Sequence, residues 1–374
     1  MKQRIEVLDQ IRGFSLYGIL IVNMFLFQYG VDHPKMVHMD RMDKITTVII
    51  EILFSNSFMP LFAFMFGVST ILIKRGLEKQ NIPCYSALIK RFITLMLIGI
   101  FHTYIIWDED ILLSYGITGM LLLIFLNANK IFLTILSIFW WLVLPLLCYF
   151  FTGNFPVLSG DGLGYHIIFN LSWIDQSDFS FALNAPIATL PYFLFGIVCI
   201  QTNMFFDFKL NKKRNKYLFL ILFIVGCTAK SLPLFNDDNN AMIRYCSEIG
   251  KFTLTTSYIF GILYIVTTTI GMKFLSIFSA VGKTSLSNYL FQSILFTCLF
   301  KQSGILFSGI GIFHYIGVLS GVFLATIVFS IQIYMSQWWL SHYSFGPIEW
   351  LVRKVTYSNK YRTTKRGKNT HPST

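Results

Sequence analysis

The chain has 374 residues, of which 55% are hydrophobic and only 13% are Asp, Glu, Lys or Arg. Its mean hydropathy is +0.61, whereas a soluble domain carries about a quarter charged residues. These values exclude a soluble globular protein, and continuous apolar runs in place of roughly ten-residue alternating strands exclude a β-barrel.

The expected fold is therefore an all-α polytopic membrane bundle. Ten apolar stretches mark candidate spans at 11–30, 47–73, 91–107, 112–127, 131–152, 185–201, 217–236, 252–271, 274–300 and 315–341. Several are near the lower length limit for crossing about 30 Å of hydrocarbon. The charged start MKQRIEVLDQIR lacks a small-residue cleavage site, so the first span is expected to remain as a helix. With the N-terminus inside, 21 Lys and Arg fall in inner segments and 7 in outer gaps, with Arg12 and Lys283 inside spans. That asymmetry sets both ends on the cytoplasmic side of the membrane.

The net charge of +12 is thus mainly topological. The tail 358–374 reads as a solvated, lipid-facing basic tail, not a nucleic-acid arm. The six Cys are scattered, and no metal-ligand spacing appears. The segment 153–184, without Lys or Arg, is expected outside as a short amphipathic helix or a cap. The basic loop 202–216 divides the chain into an N-terminal six-span half, 1–201, and a C-terminal four-span half, 217–357.

Ionisable and polar residues inside spans are costly and mark candidate sites. At the start of span one, Asp9 and Arg12 share a helical face. They form either an interfacial ion pair or, through Arg12, a contact to a phosphate-bearing ligand. Asn23, three turns deeper, needs a polar partner. His102 lies near the outer end of span three, followed by Asp108, Glu109 and Asp110 and then Tyr115. An imidazole beside a carboxylate is the arrangement of a general base, and a hydrogen-bonded structural histidine is the alternative.

Span nine carries Lys283, Ser285, Ser287, Asn288, Gln292 and Ser293. Its GKTS lacks the first glycine and the preceding strand of a phosphate-binding loop. Interhelical hydrogen bonding is the plainer reading, with Lys283 the residue it explains least. After span ten, Gly346-Pro347 breaks the helix, and Glu349, Trp350 and Arg353 open an interfacial segment in which Glu349 and Arg353 are spaced to pair.

RIEVLDQIRGFSLYGILIVNM, SFMPLFAFMFGVS, GIFHTYIIWDEDILLSYGITGM, GKTSLSNYLFQS and FGPIEWLVR occur in order between residues 4 and 357. Together they resemble the YeiB-like family of bacterial multi-pass proteins, whose C-terminal half is a domain of unknown function 418. The family's His, Asp-Ile-Leu and Tyr positions fall on His102, Asp110, Ile111, Leu112 and Tyr115. Its N-terminal part is similar to transmembrane acyltransferases such as heparan-glucosaminide acetyltransferase. These share an Asp-x-x-Arg-Gly opening, here Asp9, Arg12 and Gly13. The resemblance implies acetyl or acyl transfer from cytosolic acyl-CoA, and in those enzymes the catalytic His follows span one, where this chain has His33 and His38.

The expectation is an acyltransferase with acyl-CoA as co-substrate and a lipid or glycan acceptor on the outer side. Arg12, Lys283 and Arg353 hold the donor's phosphates, with Asp9, Asn23, Gln292, Glu349 and Trp350 in support. His102, oriented by Asp110, is the base, and Tyr115 and Asn288 polarise the acyl carbonyl. The rivals are a transporter of a small amphiphile, with the same residues lining its path, and a non-catalytic membrane partner of another protein.

Overall fold

A chain this apolar can satisfy its backbone in lipid only by folding into helices. The computed structural model describes residues 2–29, 39–107, 110–144, 146–147, 178–205, 210–235, 240–300 and 316–357, and among these no β-strand occurs. The N-terminal helices are α1 (Lys2–Tyr29), α2 (Arg41–Leu53), α3 (Phe58–Glu78), α4 (Cys84–Ile105), α5 (Leu112–Leu122) and α6 (Lys130–Ile138). The later ones are α7 (Asp178–Gln201), α8 (Lys212–Phe235), α9 (Ala241–Ile265), α10 (Thr269–Lys283), α11 (Ser285–Leu299), α12 (Val318–His342) and α13 (Pro347–Tyr357).

Among the described residues, five stretches are long and apolar enough to cross a membrane: Glu6–Tyr29, Arg41–Glu78, Cys84–Ile105, Lys212–Phe235 and Val318–His342. Leu112–Phe125, Lys130–Val143 and Ala188–Gln201 are shorter apolar helices. His33, His38, Asp108, Glu109, most of 153–184 and the tail 358–374 lie outside the described residues.

Three of the expected continuous spans are broken. The stretch 47–73 is interrupted between α2 and α3, where Asn56 takes a left-handed φ of 54°. The freed carbonyls find partners within the bundle. Tyr258 donates its hydroxyl to the Leu53 carbonyl at 2.6 Å, and Lys230 Nζ donates to the Ser55 carbonyl at 2.6 Å. Lys230, expected among the outer loop charges, is thus buried inside the bundle. Irregular backbone at depth is tolerated when protein groups take its hydrogen bonds.

The stretch 252–271 ends early. α9 stops at Ile265, and α10 leaves it at a bend of 118°. The stretch 274–300 is broken at Thr284, whose ψ of 31° is not helical, so Lys283 is the last residue of α10 and not an interior position.

The centre of the bundle is α1, which packs against α3, α10, α11 and α12. Ile11, Leu16, Ile19 and Leu20 are fully buried, as expected for a helix apolar on every side. Phe14 meets Phe58 and Phe278 at ring centroid distances of 5.3 and 5.7 Å. At the periphery α8 leaves Leu220, Ile221, Ile224 and Val225 exposed, a face suited to lipid.

The α1–α10 contact is backbone on backbone. A Cβ on Gly13 would collide with the Phe278 carbonyl, and one on Gly282 with the Asp9 carbonyl. This is small-residue packing, the means by which membrane helices approach closely without a hydrophobic driving force.

Gly282→Val is expected to destabilise the fold by about 1–3 kcal/mol or more, as overpacking does. Gly76→Val, at a site with nothing within 4 Å of the new Cβ, serves as the neutral control. Thermal unfolding in detergent checks both, and equal midpoints for the two variants would contradict the close contact. For topology, cysteines placed at residues 212 and 240 in a cysteine-free background are expected to label from the cytoplasmic and outer sides respectively. Labelling of both from one side would contradict the charge-based orientation.

Candidate functional site

The α1–α10 contact decides where the charges go. Arg12 precedes Gly13, and Lys283 follows Gly282, so the glycine contact brings the two cations to one place. Arg12 Nη1 donates to Asp9 Oδ1 at 2.8 Å, and Nη2 donates to Ser69 Oγ of α3 at 2.6 Å. Both Arg12 and Lys283 line a cavity of about 700 Å³.

A third element completes the cavity mouth. Gly346 lets the chain turn tightly into α13, since a Cβ there would meet the Glu349 carboxylate. Glu349 then accepts from the backbone N–H groups of Leu286 and Ser287 at 2.6 and 3.1 Å and from the Ser287 hydroxyl. It caps α11 just beyond the break at Thr284. An acid at a helix N-terminus is favourably placed. Burial raises the Glu349 carboxyl above its ordinary range, against the Ser287 hydroxyl and the α11 amides, which lower it.

The expected Glu349–Arg353 pair is therefore replaced by a helix cap. Arg353, one turn further, lines the same cavity, with its guanidinium 4.2 Å from the Phe345 ring centroid and 5.3 Å from that of Tyr357. Trp350 does not line the cavity, and its ring lies 4.9 Å from Lys354 Nζ.

The structure thus brings together Asp9, Arg12, Lys283, Glu349 and Arg353. It adds Arg91, which sequence reasoning missed because it was counted as a loop charge beside Lys90. Its signal was periodicity, since Arg91 is spaced three and four residues from the buried Leu88, Ala87 and Leu95 of α4. From this cationic mouth the cavity follows α3 from Gly76 to Phe62, about 21 Å at 1.5 Å per residue. Its inner end is formed by Phe62, Leu112 and Tyr115.

The cluster around His102 is differently built. His102 Nδ1 is 3.1 Å from Asp110 Oδ1, and both side chains are fully enclosed. Neither imidazole nitrogen makes a well-directed hydrogen bond, so this is a close approach more than a formed one. Asp110 Oδ2 accepts from the backbone N–H groups of Leu112 and Leu113 at 2.9 and 3.0 Å, capping α5. Tyr289 donates its hydroxyl to Asp110 Oδ1 at 3.4 Å.

His102 and Asp110 do not line the cavity, contrary to expectation. Both are enclosed at the start of α5, where Asp110 holds the Leu112 and Leu113 amides. Tyr115 does line it, but its hydroxyl donates to the Met59 carbonyl at 2.8 Å, which removes it as a carbonyl-polarising donor.

Asn288 and Gln292 lie in a separate polar seam between α11 and α12. Asn288 Nδ2 donates to Thr284 and to Ser336 Oγ, the latter at 2.9 Å. Gln292 Nε2 donates to Gln332 Oε1 at 2.8 Å, and Gln332 Nε2 donates to the Asn288 carbonyl at 3.1 Å. The amide hydrogens of Asn288 are taken, so it too is removed as a carbonyl-polarising group. Asn23 is buried on α1 with an unpartnered Oδ1, away from the cavity. Among the described residues no three His, Cys, Asp or Glu side chains converge as metal ligands.

Glu349→Ala is expected to lower stability by about 1–2 kcal/mol, the cost of a lost helix cap. Thermal unfolding measures it, and a wild-type midpoint would show that α11 does not depend on the cap.

Residues 199–359 match the family described as "Protein of unknown function (DUF418)". Over nearly its whole length the chain is similar to three uncharacterized bacterial proteins. YxaH of Bacillus subtilis strain 168 is 27% identical, over 95% of this chain and 94% of the relative. An uncharacterized 39.9 kDa protein in the amylase 3' region of Bacillus acidopullulyticus is 24% identical, over 96% of each chain. YeiB of Escherichia coli strain K12 is 24% identical, over 95% of this chain and 96% of the relative. Over nearly its whole length the chain is thus similar to YeiB and YxaH, and residues 199–359 match the DUF418 family.

Proposed function

We propose that the protein is a membrane-embedded acyltransferase whose acyl-CoA donor enters through the cationic mouth. The observation that carries this reading is one cavity with Arg12, Arg91, Lys283 and Arg353 among its lining and an aromatic inner end. Guanidinium groups suit phosphate oxygens. A depth of about 21 Å along α3 gives a long acyl-bearing arm room to reach the level of Leu112. Asp110 holds the Leu112 amide from behind, so the imidazole–carboxylate pair stands just outside that inner end.

In this reading His102 takes the proton of an acceptor hydroxyl or amine, and the acceptor oxygen or nitrogen attacks the thioester carbonyl. The carbon–sulfur bond breaks, and the departing thiolate receives the proton from the imidazolium. Because His102 is enclosed, the step requires the first turn of α5 to yield. A membrane acceptor, lipid or glycan, would approach from the outer side.

A second reading, transport of an anionic amphiphile, is favoured by the helix break at Thr284, beside the cationic cluster. Interrupted helices commonly mark the binding sites of transporters.

The test uses purified full-length protein in nanodiscs. CoA is expected to bind, and Arg12→Ala to weaken it at least tenfold, about 1.4 kcal/mol or more. His102→Ala is expected to leave binding intact and abolish transfer to a membrane acceptor. Full transfer by folded His102→Ala protein would remove the base. In proteoliposomes, movement of unmodified ligand without any acyl transfer would favour the transporter.

A further inference from the structure

The break between α2 and α3 is closed by side chains of α8 and α9, and one of them is charged. Tyr258 donates to the Leu53 carbonyl at 2.6 Å, Lys230 Nζ to that of Ser55 at 2.6 Å, and Thr255 to that of Ser57 at 3.2 Å. Two of these donors are neutral hydroxyls. The third is an ammonium on a residue only 8% exposed. A hydroxyl would satisfy the Ser55 carbonyl at a smaller desolvation cost, so the surroundings of Nζ must offset the burial of a charge.

Two oxygens of the break do so. Ser57 is fully buried, and its hydroxyl donates to the Ser55 carbonyl at 3.3 Å. With its proton so directed, Ser57 Oγ presents lone pairs to Lys230 Nζ, 3.1 Å away. Asn56, between the two serines, takes the left-handed φ of 54° at this turn. Hydrogen bonds from a charged donor are about twice as strong as neutral ones. Carbonyls of unwound helices are also the groups with which membrane proteins hold small cations at depth.

The ammonium is delivered by a closely packed pair of helices. A Cβ on Gly250 of α9 would lie 2.9 Å from the backbone nitrogen of Lys230 on α8. Thr255 and Tyr258 follow on α9, so one helix pair carries all three donors to the break. Both helices fall within residues 199–359, the part that matches DUF418.

We propose that the α2–α3 break is a binding site for a small primary ammonium, and that Lys230 fills it as a tethered ligand supplied by the DUF418 part of the chain. The site stands apart from the cation-lined cavity and does not depend on what binds there. Two rival roles exist for Lys230. One is snorkelling, with the charge held toward the membrane surface. The other is a hydrogen bond in which charge plays no part.

The test is thermal unfolding of the full-length protein in zwitterionic nanodiscs, in methylammonium chloride or choline chloride at equal concentration. Methylammonium replaces the Cε–Nζ end of a lysine truncated to alanine, whereas choline carries the same charge and has no N–H. Lys230→Ala is expected to unfold about 3 °C or more below wild type in choline. Methylammonium is expected to restore at least half of that loss. The wild type is expected to unfold at the same temperature in both salts, because its site is filled. Lys230→Met, which fills the space with an apolar chain, and Lys230→Gln, which keeps a neutral donor, are expected to be destabilised in both salts without recovery.

A wild-type midpoint for Lys230→Ala in choline would overturn the proposal in favour of snorkelling. A loss that methylammonium does not reverse would overturn the ammonium site, and equal recovery by Lys230→Met would reduce the effect to a general one of the salt. A wild-type midpoint for Lys230→Gln would show that a neutral donor suffices and would overturn it as well. Should Lys230→Ala fold in neither salt, Lys230→Gln decides: a lowered midpoint upholds the need for the cation, and an unchanged one removes it.

Discussion

The contact between Gly13 and Gly282 puts the backbones of α1 and α10 against each other, and the charged site depends on that approach. Each glycine is followed or preceded by a cation, so the packing that buries the helices also fixes the spacing of Arg12 and Lys283. In lipid there is little hydrophobic gain from helix association, so van der Waals contact and hydrogen bonds must supply it. A bulkier side chain at either position separates the helices and moves both charges. Stability and site geometry are therefore set by the same contact, and they should fail together.

Much of this site was legible in the sequence, through its least lipid-compatible residues. Asp9, Arg12, Lys283, Glu349 and Arg353 stood out because charge inside or beside an apolar run is expensive. Their convergence from residues 9 to 353 follows from tertiary packing, which no local pattern contains. Arg91 was missed because a cation at the edge of a span reads as a topological charge. Only its phase on α4 separated it from Lys90, and that phase carries meaning only once α4 is known to pack with α13. The helical class was legible from hydropathy. The breaks at 54–57, 266–268 and 284 were not, because a hydropathy window averages over Asn56 and Thr284, and neither is a proline or a glycine.

The outer pair shows a different limit. Sequence spacing placed His102 near Asp110 across a short turn, and they lie 3.1 Å apart. Proximity did not fix what the carboxylate does. Its second oxygen takes two backbone amides of α5, and its first faces His102 and the Tyr289 hydroxyl. A carboxylate so engaged orients an imidazole well, but it also anchors a helix. Catalysis and architecture would then share one group, and the wall formed by Leu112 separates the two uses. A group that caps the helix forming the cavity's inner end is well placed to feel a ligand there, even without touching it.

The break at Thr284 ties these elements together electrically. α10 ends at Lys283 and α11 begins at Ser285, so a partly negative helix end and a partly positive one meet beside the cavity. Lys283 complements the first and Glu349 the second, which lets a chain break exist at this depth. An entering phosphate would meet both. It would draw on Lys283 and would be repelled by Glu349, which already holds the amides that an anion would otherwise seek. In the proposed reading a phosphate would therefore sit away from the α11 terminus, toward Arg12, Arg91 and Arg353. Glu349 thus does more than cap a helix: by occupying the α11 amides, it leaves Arg12, Arg91 and Arg353 as the guanidinium donors lining this part of the cavity.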